Sequence, residues 1–148
     1  MKMTILTLGL AVFLVTAFTT SASACNVGCT PGYWKQSQHY DDWVGYSPDD
    51  LVYDVFECGP VGGMTLLTAL KTGGGGEYSL TRHAVASLLN AAVWDCFDGG
   101  SPQDIIDAYC AAIAGDSDDI ESQKYLFEED NDQNCPLGGS GRALGRNR

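Results

Sequence analysis

The two histidines, His39 and His83, are the side chains of this sequence best suited to proton transfer or metal binding. Asp41 and Asp42 follow His39 closely, so one histidine has carboxylates beside it, as acid–base chemistry in a hydrolase requires. The spacing of these groups matches no zinc-binding pattern, and no Gly-x-Ser-x-Gly motif supplies a nucleophile. The sequence therefore predicts no catalytic residue, no metal and no cofactor. A secreted hydrolase, which would use His83 or His39 with nearby carboxylates, is the alternative function.

Aromatic side chains are concentrated in residues 33–46, which hold five rings within 14 positions. If exposed, these rings form a platform for a sugar or a protein partner. If buried, they attach an irregular segment to the rest of the domain, which is the commoner outcome in a small protein. The candidate binding residues of this segment are Tyr33, Trp34, Lys35, His39 and Trp43, and Tyr40 and Tyr46 complete the cluster.

Three polar residues, Arg82, His83 and Asn90, interrupt an otherwise apolar helical pattern. His83 and Asn90 are seven positions apart and therefore share one helix face, where they could line a pocket. The alternative is structural: Asn90 caps a neighbouring loop through hydrogen bonds, and Arg82 pairs with one of the many acids.

The first 24 residues have the pattern of a secretory signal peptide. Lys2 precedes an apolar stretch at residues 5–18, and Ala-Ser-Ala at residues 22–24 marks the cleavage site. The apolar core is too short for the roughly 20 residues that a membrane span needs, so the mature chain is expected to have no transmembrane span. Cys25 then becomes the first mature residue, and the sequence leaves open whether it is lipid-anchored or free. The expected location is extracellular or at the cell surface.

All six cysteines lie beyond residue 24, and an even count in an exported chain predicts three disulfides. After loss of Lys2 the mature chain holds seven Lys and Arg against 19 Asp and Glu, a formal charge of −12. So negative a chain is not expected to bind nucleic acid.

Periodicity and capping signals predict one all-α domain at residues 25–137, a small disulfide-stapled bundle of about five helices. Its N-terminal part, residues 25–46, has no sustained period and is predicted to be an aromatic-rich ordered loop or one short helical turn. Residues 138–148 contain Gly, Ser and three arginines without an acid, and are predicted to be a disordered basic tail. The predicted helices are residues 48–56, 64–70, 79–96, 102–114 and 118–129.

Three strings resemble a group of exported bacterial and archaeal proteins in which a Thr-Pro-Gly-Tyr-Trp-Lys segment heads a small domain. They are Cys-Thr-Pro-Gly-Tyr-Trp-Lys at residues 29–35, His-Ala-Val-Ala-Ser-Leu-Leu-Asn-Ala-Ala at residues 83–92, and Asn-Cys-Pro-Leu at residues 134–137. The chain departs from that pattern after Lys35, where Gln36 and Ser37 replace the usual Asn-His. The resemblance implies secretion or surface display and supplies no catalytic residue.

Because Cys29 and Cys135 lie in the first and last of these strings, we expect them to pair and to join the two ends of the domain. Cys96 ends one predicted helix and Cys110 lies within the next, which suggests a second bond between them. Cys25 and Cys58 then form the third.

The preferred functional prediction is a non-enzymatic binding module whose partner is an unknown extracellular protein or glycan. The proposed contact surface is the aromatic segment, together with Arg82, His83 and Asn90. A third alternative is a structural component of an envelope or matrix, in which the basic tail pairs with the acidic face of a neighbouring molecule.

Overall fold

The computed structural model describes residues 25–59 and 62–137, so the predicted signal peptide and basic tail lie outside the described residues. The predicted all-α class is confirmed, because the described part of the chain contains helices and only two isolated β-bridges. In chain order the elements are α1 (Pro31–Trp34), a 3₁₀ helix (Ser37–Asp42), α2 (Val52–Phe56), α3 (Leu66–Lys71), α4 (Glu77–Val93), α5 (Pro102–Ala114) and α6 (Ser117–Asn131).

Helix α4 is the centre of the domain and packs against α1, α3, α5 and α6. Eleven of its 17 residues are buried, as expected for a helix that has neighbours on most sides. The predicted end at Cys96 is wrong: the helix ends at Val93, because Trp94 has an extended backbone with φ of −126°.

Helices α5 and α6 begin at caps that the local sequence encodes. The Ser101 hydroxyl accepts the Asp104 N–H at 3.3 Å, and the Asp104 carboxylate accepts the Ser101 N–H at 2.8 Å. Asp116 and Asp119 form the same reciprocal pair at the start of α6. Both helices start within one residue of the prediction, since a capping box needs only residues that are close in sequence.

Helix α2 covers Val52–Phe56 and is shorter than the predicted residues 48–56. Leu51 forms an isolated antiparallel bridge with Thr65, so its backbone is extended and cannot continue a helix. The same bridge delays the start of α3, whose first helical residue is Leu66. A tertiary contact has therefore overridden the local capping signals.

The N-terminal segment, residues 25–46, contains more helix than predicted: α1 and the 3₁₀ helix replace the expected loop or single turn. Before α1, the chain runs beside the C-terminal end of α6. Val27 forms a parallel bridge with Asn134, and the Gly28 N–H donates to the Asn134 carbonyl at 3.1 Å. A side chain at position 28 would collide with the Asp130 carbonyl, so this close approach requires glycine.

Three disulfides staple the domain, and one of the expected pairs is confirmed: Cys29 bonds Cys135. The other two expected pairs, Cys96 with Cys110 and Cys25 with Cys58, are wrong. The structure pairs Cys25 with Cys96 and Cys58 with Cys110. The physical reason is tertiary: Cys96 follows the end of α4 beside the N-terminal segment, and Cys110 of α5 lies beside the end of α2. Both bonds therefore join regions distant in sequence, with separations of 71 and 52 residues.

No helix within the described residues is long and apolar enough to cross a membrane. Three disulfides are compatible with an extracellular location, because such bonds persist in oxidising compartments.

Candidate functional site

Asn90 is the polar centre of the candidate site and is completely buried. Its Oδ1 accepts the Cys29 N–H at 2.9 Å and the Trp34 Nε1–H at 3.0 Å. Its Nδ2 donates to the Cys29 carbonyl at 3.0 Å and to Asn131 Oδ1 at 2.7 Å. These four bonds use the whole hydrogen-bonding capacity of the amide. These bonds agree with the structural interpretation of Asn90, in which its amide fixes a neighbouring segment.

Asn131, also buried, extends this network to the end of α6. Its Oδ1 accepts from Ser87 at 3.1 Å as well as from Asn90, and its Nδ2 donates to the His83 carbonyl at 2.9 Å. The sequence did not point to Asn131, because the predicted helix ends at residue 129 and the observed helix continues to Asn131. The two asparagines together connect α4, α6 and the N-terminal segment.

The tryptophans of the aromatic cluster belong to the core, and this corrects the idea of a platform made from their exposed faces. Trp34 has no exposed surface, Trp43 is 8% exposed and Tyr33 is 6% exposed. The Trp43 ring contacts Tyr40 edge-on, with centroids 6.1 Å apart, and its Nε1 is buried without a hydrogen-bond partner. These rings attach the segment to the helices, in agreement with the commoner of the two interpretations.

The outward surface of the same segment consists of exposed and half-buried side chains. Lys35 is exposed, Val44 is 52% exposed, and His39, Tyr40 and Tyr46 are half-buried. We call these five residues the outer rim. Each rim residue lies within four positions of a buried ring in the sequence, so burial of these rings anchors the backbone that carries the rim.

Tyr33, His39 and Asp42 form a compact polar cluster at one part of this segment. The imidazole of His39 stacks on the Tyr33 ring with centroids 3.7 Å apart, and its Nδ1 lies 3.2 Å from Asp42 Oδ2. The Tyr33 hydroxyl lies 2.6 Å from the same carboxylate oxygen and 2.8 Å from the Leu137 carbonyl. Burial, and then the hydrogen bond and charge of Asp42, raise the pKa of Tyr33 well above its ordinary value, so the phenol stays protonated.

Arg82 and His83 do not join this cluster. The Arg82 guanidinium donates to the Thr72 carbonyl at 2.8 Å and to the Ser79 hydroxyl at 2.9 Å. It therefore supports the loop after α3. These bonds take the place of the expected pairing with an acid. The His83 Nδ1 is buried without a hydrogen-bond partner. Burial lowers the pKa of His83, and the charge of Glu128 opposes this shift.

A shallow groove of about 310 Å³ lies between α5 and α6. Its lining combines three alanines of α5 with polar groups and one leucine of α6, and it contains neither histidine. The principal lining residues are Ala108, Ala111, Ala112, Asp119, Ser122 and Leu126. Sequence reasoning did not predict this groove, because it depends on how two helices pack.

The structure thus divides the eight candidate residues into three groups. Trp34 and Asn90 meet in the buried network; Tyr33, Lys35, His39 and Trp43 lie in or beneath the outer rim; Arg82 and His83 are elsewhere on α4. Within residues 25–59 and 62–137, no three His, Cys, Asp or Glu side chains gather in a way that could hold a metal ion.

No family model matches the chain, and no curated protein or solved structure matches it. The resemblance to exported Thr-Pro-Gly-Tyr-Trp-Lys proteins therefore stays a prediction from three short strings.

Proposed function

We propose that this protein is an exported, non-enzymatic binding module that contacts an extracellular glycan or protein through its outer rim. The observation that carries the proposal is the two-sided construction of residues 33–46. Buried rings and a saturated amide network hold the inner side, while Lys35 and Val44 are exposed beside half-buried aromatic residues.

Anchoring of the segment by its buried rings supports a binding role, because a backbone held in place before docking loses little conformational entropy when a partner binds. Tyr40 and Tyr46 have apolar rings and polar hydroxyls, a combination enriched in binding surfaces. Lys35 adds a positive charge to this surface, where most of the protein carries acids. A partner with hydroxyl groups and an apolar face, such as a sugar ring, fits this chemistry.

The test is binding of the full exported, oxidised chain to an array of immobilised neutral and acidic glycans, followed by titration of the glycans that score. Tryptophan fluorescence gives the solution readout, since Trp43 contacts Tyr40 of the rim. Tyr40→Ala and Val44→Ala should weaken a saturable response at least tenfold. The matched control is Tyr78→Ala, because Tyr78 is 54% exposed and lies outside the rim.

Two results would contradict the glycan form of the proposal. One is the absence of any saturable response across the array. The other is an equal loss of binding in the Tyr78→Ala control, which would place the contact outside the rim. Circular dichroism of each variant confirms that its fold is intact before binding is compared.

A hydrolase is the second candidate, favoured by the geometry of His39. Its Nδ1 contacts Asp42, as in a histidine oriented by a carboxylate, and no described residue hydrogen-bonds its Nε2. Turnover of a chromogenic acetate ester that is lost in both His39→Gln and Asp42→Asn, and retained in His83→Gln, would support this function. Hydrolysis no faster than in buffer removes support for it with this class of substrate.

A further inference from the structure

The charges of this protein are distributed unevenly along the chain. Residues 25–137 contain four Lys and Arg against 19 Asp and Glu, a formal charge of −15. Residues 138–148 contain three arginines and no acid, a formal charge of +3. The tail therefore carries three of the seven basic residues of the mature chain and is opposite in sign to the domain beside it.

The α5–α6 groove offers that tail a surface of matching chemistry. Ala108, Ala111 and Ala112 give it an apolar floor, and Leu126 at its edge is 54% exposed. Asp119 lines the groove itself, and Asp107 lies one helical turn before Ala111 on α5. An occupant that carries one apolar side chain between two cations would satisfy both the floor and the acids.

The tail has this pattern: Leu144 stands two residues from Arg142 and two residues from Arg146. It also has sufficient length. Leu144 stands seven residues after Leu137, and seven extended residues reach about 23 Å, whereas the part of α6 from Ser122 to Asn131 spans about 14 Å. The described chain ends at Leu137, six residues after the end of α6, so the tail can return along that helix to the groove.

We propose that residues 138–148 dock in the α5–α6 groove of their own chain. Leu144 contacts the alanine floor, and Arg142 and Arg146 lie beside Asp119 and Asp107. The tail is then an intramolecular ligand that covers an apolar surface and neutralises part of the acidic domain. The groove is separate from the outer rim. An experiment that rules out docking of the tail therefore leaves the proposed binding function untouched, and the reverse also holds.

The test compares amide NMR spectra of the full exported chain with those of an Arg142→Gln/Arg146→Gln/Arg148→Gln variant. We expect shifts concentrated at groove amides such as those of Ala111 and Ser122, unchanged on dilution. Leu144→Ser should reproduce part of the change. Ionic strength raised from about 0.1 M to about 1 M shortens the Debye length from about 10 Å to about 3 Å and should shift the same amides of the parent chain.

Two further variants separate specific docking from general attraction. Ser122→Arg places a positive charge in the groove and should displace the tail, whereas Gln38→Arg adds the same charge at an exposed position of the 3₁₀ helix, outside the groove lining, and should not. Shifts spread evenly over the acidic surface, shifts that grow with protein concentration, or identical spectra of parent and triple variant would each overturn the proposal. The concentration-dependent result would indicate docking of the tail on a second copy.

Discussion

Residues 25–46 and the α5–α6 pair differ in where their stabilising contacts come from. The N-terminal segment is held by partners that are 61 residues away for the Cys29–Asn90 bonds and 106 residues away for the Cys29–Cys135 disulfide. Helices α5 and α6 begin at capping boxes whose members are three residues apart. One region is therefore ordered by tertiary contacts, and the other has local signals as well.

This difference bears on function. A segment with short helices and few local signals becomes a fixed surface only when the rest of the domain has folded. Its buried side must then be specified in detail, which explains why an amide with four satisfied hydrogen bonds lies beneath the proposed binding rim. The α5–α6 pair has no such requirement, and its groove is a consequence of ordinary helix packing.

The largest effect should come from removal of the Cys29–Cys135 disulfide in a Cys29→Ala/Cys135→Ala variant. Closure of a loop of this length is worth about 4–5 kcal/mol in the chain-entropy model. In hydrogen exchange of this variant, the amides of residues 25–46 should lose more protection than the amides of α5 and α6. The control is Cys58→Ala/Cys110→Ala, which removes a bond outside the segment. Equal loss of protection in every element of both variants would contradict the division into two regions.

Asn90→Leu should cost about 4 kcal/mol of unfolding free energy, because it leaves the backbone of Cys29 and the indole of Trp34 without partners in the core. Denaturant titration with tryptophan fluorescence measures this loss. The matched variant is Thr81→Val on the same helix, which removes the buried hydrogen bond to Tyr109. Its expected cost is about 1 kcal/mol. Similar losses of unfolding free energy in the two variants would show that the amide network contributes no more than a single buried hydrogen bond.

The same division explains what the sequence could predict. Helices α5 and α6 were predicted to start within one residue of their observed positions, because caps and periodicity are short-range signals. The extra helices of the N-terminal segment, the short α2 and two of the three disulfide pairs were not predicted, since each depends on contacts between distant residues.

The candidate site follows the same rule. Asn90 stands out in the sequence as an amide among alanines and leucines, and a hydrogen-bonding cap is one of the two roles that the sequence suggests for it. Its partners Trp34 and Asn131 could not be identified, because no pattern in the sequence states which elements lie beside α4. The burial of Trp34 and Trp43 was one of two interpretations, and only tertiary packing distinguishes an inward ring from an outward one.

Ser101→Ala tests the locally encoded region and should cost about 1 kcal/mol, the usual value of an N-cap. The Ser101 hydrogen bonds lower the pKa of Asp104, so NMR titration of the variant should show that pKa returning toward its ordinary value. Hydrogen exchange in residues 25–46 should be unchanged except for the small global loss. Ser117→Ala, an exposed position at the start of α6, is the control and should be close to neutral. A pKa of Asp104 that does not move would contradict the capping assignment.

The smallest effect concerns His83, whose carbonyl receives the Asn131 bond that connects α6 to the amide network. Burial lowers the pKa of His83 in the folded protein below its ordinary value of 6.5, so the unfolded chain binds more protons as pH falls through that value. Folding stability should therefore decrease on acidification from about pH 7.5 to about pH 5.5 and change little through this group above pH 7.5.

Denaturant titrations across this range should give a shallower pH dependence for His83→Gln than for the parent chain. His39→Gln is the control, because it removes the other histidine from the half-exposed rim. Glu128 favours the charged imidazole and limits the effect, so Glu128→Gln should steepen the dependence. If His83→Gln and the parent have equal slopes, proton binding at His83 does not differ between the folded and unfolded states. Protonation of the His83 imidazole then leaves the bond between Asn131 and the His83 carbonyl unaffected.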